Sequence, residues 1–187
     1  MLLFLVKYSR SDIANSAREL LKVNDGATEN HVKILLRVIR YVITSKNKGL
    51  YYKIPKEKGN KWVFWGYRDS DWAGDRNNCR SITVYCVYFM GYLIVWKSIA
   101  QKNVMLLSSE AEYIAISEIC SEIEFVKMIL EFLEINVEKP ITTYCNNIRA
   151  IFMRDNAKSG ARTKHIDMRY HHVQEYVVDG LVDIVFV

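Results

Sequence analysis

A mixed α/β fold is predicted by three features of this chain. Residues 62–97 hold three successive strand-like stretches, Ile116 to Leu133 form one long helical stripe, and a strand, helices and a last strand follow. The expected order is three antiparallel strands, helix, strand, helices, strand, preceded by an N-terminal helical segment. The polar, charged stretch 55–61 is the best boundary, giving expected units of residues 1–60 and 61–187.

The apolar opening Met1–Val6 reads as the start of a buried strand or helix, because Lys7, Arg10 and Asp12 cut it off. It lacks a basic n-region and is too short for a signal core or a bilayer span. Ser11 or Asp12 caps a helix to about Val23, with Ile13, Ala17, Leu20 and Leu21 on one face, and Asn24-Asp25-Gly26 stops it. From about Asn30 to Ile43, Val32, Leu35, Leu36, Ile39 and Val42 recur at helical spacing. Lys33, Arg37 and Arg40 lie off that stripe, as a solvated face does. Tyr51–Ile54 reads as a strand.

Strand character dominates from Trp62. Trp62–Asp69 alternates, Ile82–Phe89 is β-branched and aromatic, Met90-Gly91-Tyr92 turns the chain, and Leu93–Lys97 returns. A helix then runs from about Ser109 to Leu133, with Ile116, Ile119, Ile123, Val126, Leu130 and Leu133 spaced three and four apart. Ile141–Cys145 is a short strand, Asn147–Asp155 and His165–Val178 are helices, and Leu181–Val187 is the last strand.

Half of the 187 residues are hydrophobic and a quarter are charged, which supports one good core and argues against disorder. The net charge of +5 suits a polyanionic partner without demonstrating one. Cys79, Cys86, Cys120 and Cys145 show no CxxC pair and no zinc spacing, so they read as buried thiols in a reducing, intracellular compartment. His165, His171 and His172 lack partners at ligand spacing and read as surface or hydrogen-bonded side chains.

The acids that could carry chemistry lie in three short segments: Tyr67-Arg68-Asp69-Ser70-Asp71-Trp72-Ala73-Gly74-Asp75, Ser108-Ser109-Glu110-Ala111-Glu112-Tyr113 and Tyr144-Cys145-Asn146-Asn147. Each has an ordinary reading. Ser109-x-x-Glu112 is also a capping box, and Asp69, Asp71 and Asp75 also suit turns. Trp62, Trp65 and Trp96 read as strand aromatics of the core, whereas Trp72 follows a strand and stays open as a base-stacking candidate.

In wording and order these segments closely resemble the ribonuclease H domain of Ty1/copia-type retrotransposon Pol polyproteins, where they read roughly SDADWAGD, SSTEAEY and YCDN. Ser9–Ala14 resembles the family's RPDIA stretch and Arg37–Val42 its RVLRYL helix, both from the segment that joins reverse transcriptase to ribonuclease H. Trp96-Lys97-Ser98, Arg162–Asp167 and Arg169-Tyr170-His171 echo WKS, RTKHID and RYH, so the resemblance covers nearly the whole chain. It implies a ribonuclease H-like sheet that brings the Asp69 and Glu112 side chains together on one side. Asp69 is expected near the end of the first strand and Glu112 in the first turn of the long helix.

The family activity implied is hydrolysis of RNA in RNA–DNA hybrids during reverse transcription, by two Mg2+ ions held by carboxylates about 3.5–4 Å apart. Asp69 and Glu112 match the first two metal-binding carboxylates, and Asn146 stands in place of the third. Val84 replaces a usual Gly, Ile99-Ala100 a polar or lysine pair, Leu107 a Ser, and Arg149 the Ser after CDNQ. Asp167 reads as structural, or at most as facing substrate. The family's LADILTK helix, expected near the fourth acid, would lie beyond Val187, so residues 61–187 read as a domain truncated before its last helix.

A charge pair 4 Å apart is worth roughly 4 kcal/mol at an effective dielectric of 20, and about double for a divalent ion before desolvation. Losing carboxylates therefore weakens both metal positions. The resemblance thus implies a ribonuclease H-like domain with a damaged site, partnered by RNA–DNA hybrid and, in a longer polyprotein, by an upstream reverse transcriptase. The alternatives are a non-catalytic nucleic-acid-binding module and an inert transposon remnant. No membrane association is expected.

Overall fold

A computed structural model describes residues 1–53, 62–75, 78–105, 107–147 and 164–187. The chain divides into two compact units, Met1–Ile54 and Pro55–Val187. The expected connection at 55–61 and nearly all of the expected Asn147–Asp155 helix lie outside the described residues.

The first unit holds α1 (Leu2–Tyr8), α2 (Ala14–Lys22) and α3 (Glu29–Thr44), with short 3-10 turns at Ser11–Ile13 and Asn24–Gly26. Its buried apolar residues are Ile13, Ala17 and Val38. A charged clasp does much of the joining. Arg10 forks onto both carboxylate oxygens of Asp12, at 2.9 and 2.8 Å, and also donates to the Ser45 carbonyl and hydroxyl at the end of α3. Tyr41 Oη donates to Asp12 at 2.8 Å from the same helix. Two expectations need correcting. Tyr51–Lys53 is not a strand, and the opening residues form a helix without a buried residue. The α3 stripe is also more open than its periodicity suggests, since Val32 and Leu36 are exposed. With so few partner side chains in this unit, an amphipathic face has little to pack against.

The second unit is built on a five-stranded sheet in the order β3-β2-β1-β4-β5. The strands are β1 (Phe64–Asp75), β2 (Arg80–Phe89), β3 (Tyr92–Ala100), β4 (Ile141–Cys145) and β5 (Val182–Phe186). β1, β2 and β3 pair antiparallel, whereas β1–β4 and β4–β5 are parallel. The expected meander and its neighbouring parallel strand are therefore present. Two helices complete the unit: α4 (Ser108–Phe132) packs on β1 and β2, and α5 (Lys164–Val178) packs on α4.

The core lies between α4 and one face of the sheet. Ile116, Ile119, Ile123 and Tyr113 from α4 meet Phe64, Tyr85, Val87, Ile141 and Val182 from the strands. At Gly66 the helix approaches the strand so closely that a Cβ would stand 2.6 Å from Ile119 Cδ1. Buried Gln101 ties the end of β3 to the start of α4, donating to Thr83 Oγ1 at 3.1 Å and to the Ala111 carbonyl at 2.8 Å. These contacts seat α4 against both β1 and β2.

Candidate active site

The site lies where β1 and β4 part. Their pairing ends at Tyr67↔Tyr144, whose rings stack at 4.8 Å, and beyond that pair the two strands supply Asp69 and Asn146. Asn146 directly follows β4. β1 itself runs on along β2 to Asp75 through a register shift between Asp71 and Asp75. Asp69 is thus not at the end of its strand, as expected, but just past the end of its pairing with β4.

Strand alternation decides which way each side chain points. Phe64, Gly66, Arg68 and Ser70 are buried on the α4 side, whereas Asp69 is exposed on the other. The expectation that Asp69 and Glu112 share one side of the sheet is therefore corrected: Glu112 comes from the α4 side. The two carboxylates approach through the gap instead. The Ser70 amide donates to Asp69 Oδ1 at 2.8 Å and also interacts with the Glu112 carboxylate. Glu112 is the fifth residue of α4, one residue further in than expected and just past the first turn.

The helix cap is made by a different acid. Glu110 Oε2 accepts the Leu107 amide at 3.3 Å, so the capping reading of Glu112 falls and its carboxylate is available to the site. Burial pushes the Glu112 pKa up, Arg68 pulls it down, and nearby Asp69 adds to the upward push. Asn146 Nδ2 donates to Asp69 Oδ1 at 3.2 Å. A carboxylate accepts only, so the amide nitrogen must face it. Val84 lies directly across from Asp69 on β2 and lines the same shallow cavity of about 310 Å³.

Arg68 was missed by the sequence reading. Its side chain is buried between β1 and α4, where Nη1 pairs with Glu112 Oε2 and donates to the Glu112 carbonyl at 2.9 Å. Nη2 donates to Cys145 Sγ, and Nε has no partner. The signal was available, because SDADWAGD has Ser where this chain has Arg68, and a charge at an inward strand position demands a partner.

No family model matches the chain. The retrovirus-related Pol polyprotein from transposon RE1 of Arabidopsis thaliana is 33% identical over 96% of this chain and 12% of its own length. That from transposon TNT 1-94 of Nicotiana tabacum is 34% identical over 95% of this chain and 13% of its own length. The chain belongs to the copia-type retrotransposon Pol family. It spans about an eighth of the length of these relatives. A secreted RxLR effector protein 161 of Plasmopara viticola is 31% identical over 65% of this chain and 82% of its own length. Among solved structures, the foamy viral protease-reverse transcriptase in complex with dsDNA matches 95% of this chain and 33% of that chain, at 13% identity and TM-score 0.51, a likeness of fold alone.

The ribonuclease H-like site does not suit the paired magnesium ions expected of the family. Among the described residues no three His, Cys, Asp or Glu side chains converge as metal ligands. Asp69 and Glu112 remain as carboxylates, but Arg68 engages one Glu112 oxygen and the Asn146 amide faces Asp69. The other candidates have local partners. Trp72 Nε1 donates to the Met105 carbonyl at 3.2 Å, and His172 lies 2.9 Å from Tyr176 Oη. Trp65 stacks on Tyr88 and Trp62 on Phe89. The side chains of His165 and Asp167, and Arg149, lie outside the described residues.

Proposed function

We propose that this ribonuclease H-like segment contacts RNA–DNA hybrid backbones without cutting them. The single observation that carries the reading is the Asn146 hydrogen bond to Asp69. It sets a neutral donor against the first carboxylate where two-metal hydrolysis needs another acid. Among the described residues, magnesium, the ion expected for the family, would have Asp69 and Glu112 as its anionic ligands at this site.

Affinity for the hybrid rests on sequence-independent phosphate contacts, consistent with 26 Lys and Arg against 21 Asp and Glu. Residues 1–60 stand as the segment that joins this domain to an upstream reverse transcriptase in a longer polyprotein. Cys120 and Cys145 are buried free thiols, whereas Cys79 is exposed and Cys86 half-buried, so only two of the four match the buried thiols expected. An intracellular, reducing setting is part of the proposal.

An end-labelled RNA–DNA hybrid, titrated with the chain at two salt concentrations in magnesium, tests the reading. Binding should weaken on a log–log slope of about −0.9 per phosphate contact, and the hybrid should be recovered intact. Cut hybrid would contradict the reading. No complex at low salt would replace it with the inert remnant.

A further inference from the structure

Buried between β1 and α4, Arg68 brings a fixed positive charge to the carboxylate that the family would offer to a metal ion. We propose that the Arg68 guanidinium is the resident counter-cation of Glu112, completing the centre electrostatically so that it takes up no divalent ion. This deepens the non-cutting reading and rests on it for the identity of the site.

Burial and geometry carry the inference. Arg68 and Glu112 are 4% and 6% exposed, so their charges meet with little water between them. Nη1 binds the carboxylate and the backbone carbonyl of the same residue, which fixes the guanidinium against the helix rather than leaving it free to swing. Nη2 rests on Cys145 Sγ, one residue before Asn146. A guanidinium stays protonated at any ordinary pH, so the positive charge is permanent.

A divalent ion approaching Glu112 therefore meets one of two obstacles. It must displace the guanidinium and leave a buried cation without a carboxylate, or sit beside a like charge. Asn146 adds no compensating negative charge. Among the described residues that meet there, Asp69, Glu112 and Arg68 together leave a single net negative charge, too little to hold two divalent ions.

Manganese reads this directly, through the loss of its free-ion paramagnetic resonance signal and through melting temperature. The unchanged chain should leave the signal undiminished and melt alike in chelator and in millimolar Mn2+. Arg68→Ser should melt lower in chelator by about 5 °C or more. It should also take up Mn2+ and recover part of that loss, and adding Glu112→Gln should abolish both responses. Arg68→Lys keeps the charge and should stay indifferent to Mn2+, so it serves if Arg68→Ser fails to fold. Mn2+ uptake by the unchanged chain or by Arg68→Lys overturns the inference. So does an Arg68→Ser chain that folds as stably as the unchanged one and ignores Mn2+. No nucleic acid is present, so such a result bears on the metal centre alone and leaves the proposal that hybrid is bound without being cut to its own assay.

Discussion

Glu112 has its charged form disfavoured by burial and favoured by Arg68, and the pair survives because each partner answers the other's charge. Removing one partner of a buried pair costs about 3–5 kcal/mol, whereas replacing both with well-packed apolar residues is often neutral. Glu112→Leu should therefore lower stability in urea unfolding by roughly that amount, and adding Arg68→Leu should restore most of it. Equal and additive losses would show that the two side chains do not act as a pair. Asp69, Glu112 and Asn146 were legible as the candidate site because whole segments carried them. Arg68 was passed over although its replacement of the family's Ser was visible, because its importance depends on which strand face points at α4. The Glu112 cap was misread for a similar reason: Glu110 and Glu112 both sit at plausible capping distances, and only the true helix start at Ser108 separates them.

The β1–α4 contact is the element that holds the site in register. Ile119 is fully buried against β1, and Ile119→Ala should cost about 2–5 kcal/mol in chemical denaturation. Gly66→Ala fills the space on which Ile119 rests and should cost roughly 1–3 kcal/mol. A neutral Gly66→Ala would mean that the Ile119 side chain can turn aside from β1. In the first unit, the Arg10 hydrogen bond holds the Asp12 carboxylate at about 2, below its ordinary 3.8. Because the folded value is depressed, this support is present above the ordinary value and is lost as pH falls through about 2. Melting the unchanged chain beside Asp12→Asn over that window should show a difference that shrinks to nothing at the acid end. A difference that persists at the acid end would remove the clasp from the acid response. Strand and helix types were legible from periodicity. The length of β1 was not, since a bulged continuation beside β2 shares its Asp and Gly residues with turns.

For the whole molecule, the order of elements in the second unit was legible because apolar alternation gives way to a three-and-four spacing, and only a few topologies join such elements. The openness of α3 in the first unit was not legible, because periodicity marks an apolar face without saying what covers it. The strand order then places Asp69 on β1 beside Asn146 just past the end of β4, and α4 brings Glu112 to the gap between them. The fold can keep this arrangement whichever residue follows β4, since the core contacts of β1 and α4 do not depend on Asn146. The most direct test is a cleavage time course on an end-labelled RNA–DNA hybrid in magnesium and in manganese, with the unchanged chain beside Asp69→Asn. Both chains should leave the hybrid at background. Metal-dependent cutting by the unchanged chain that disappears in Asp69→Asn would contradict the non-cutting function and restore a working nuclease.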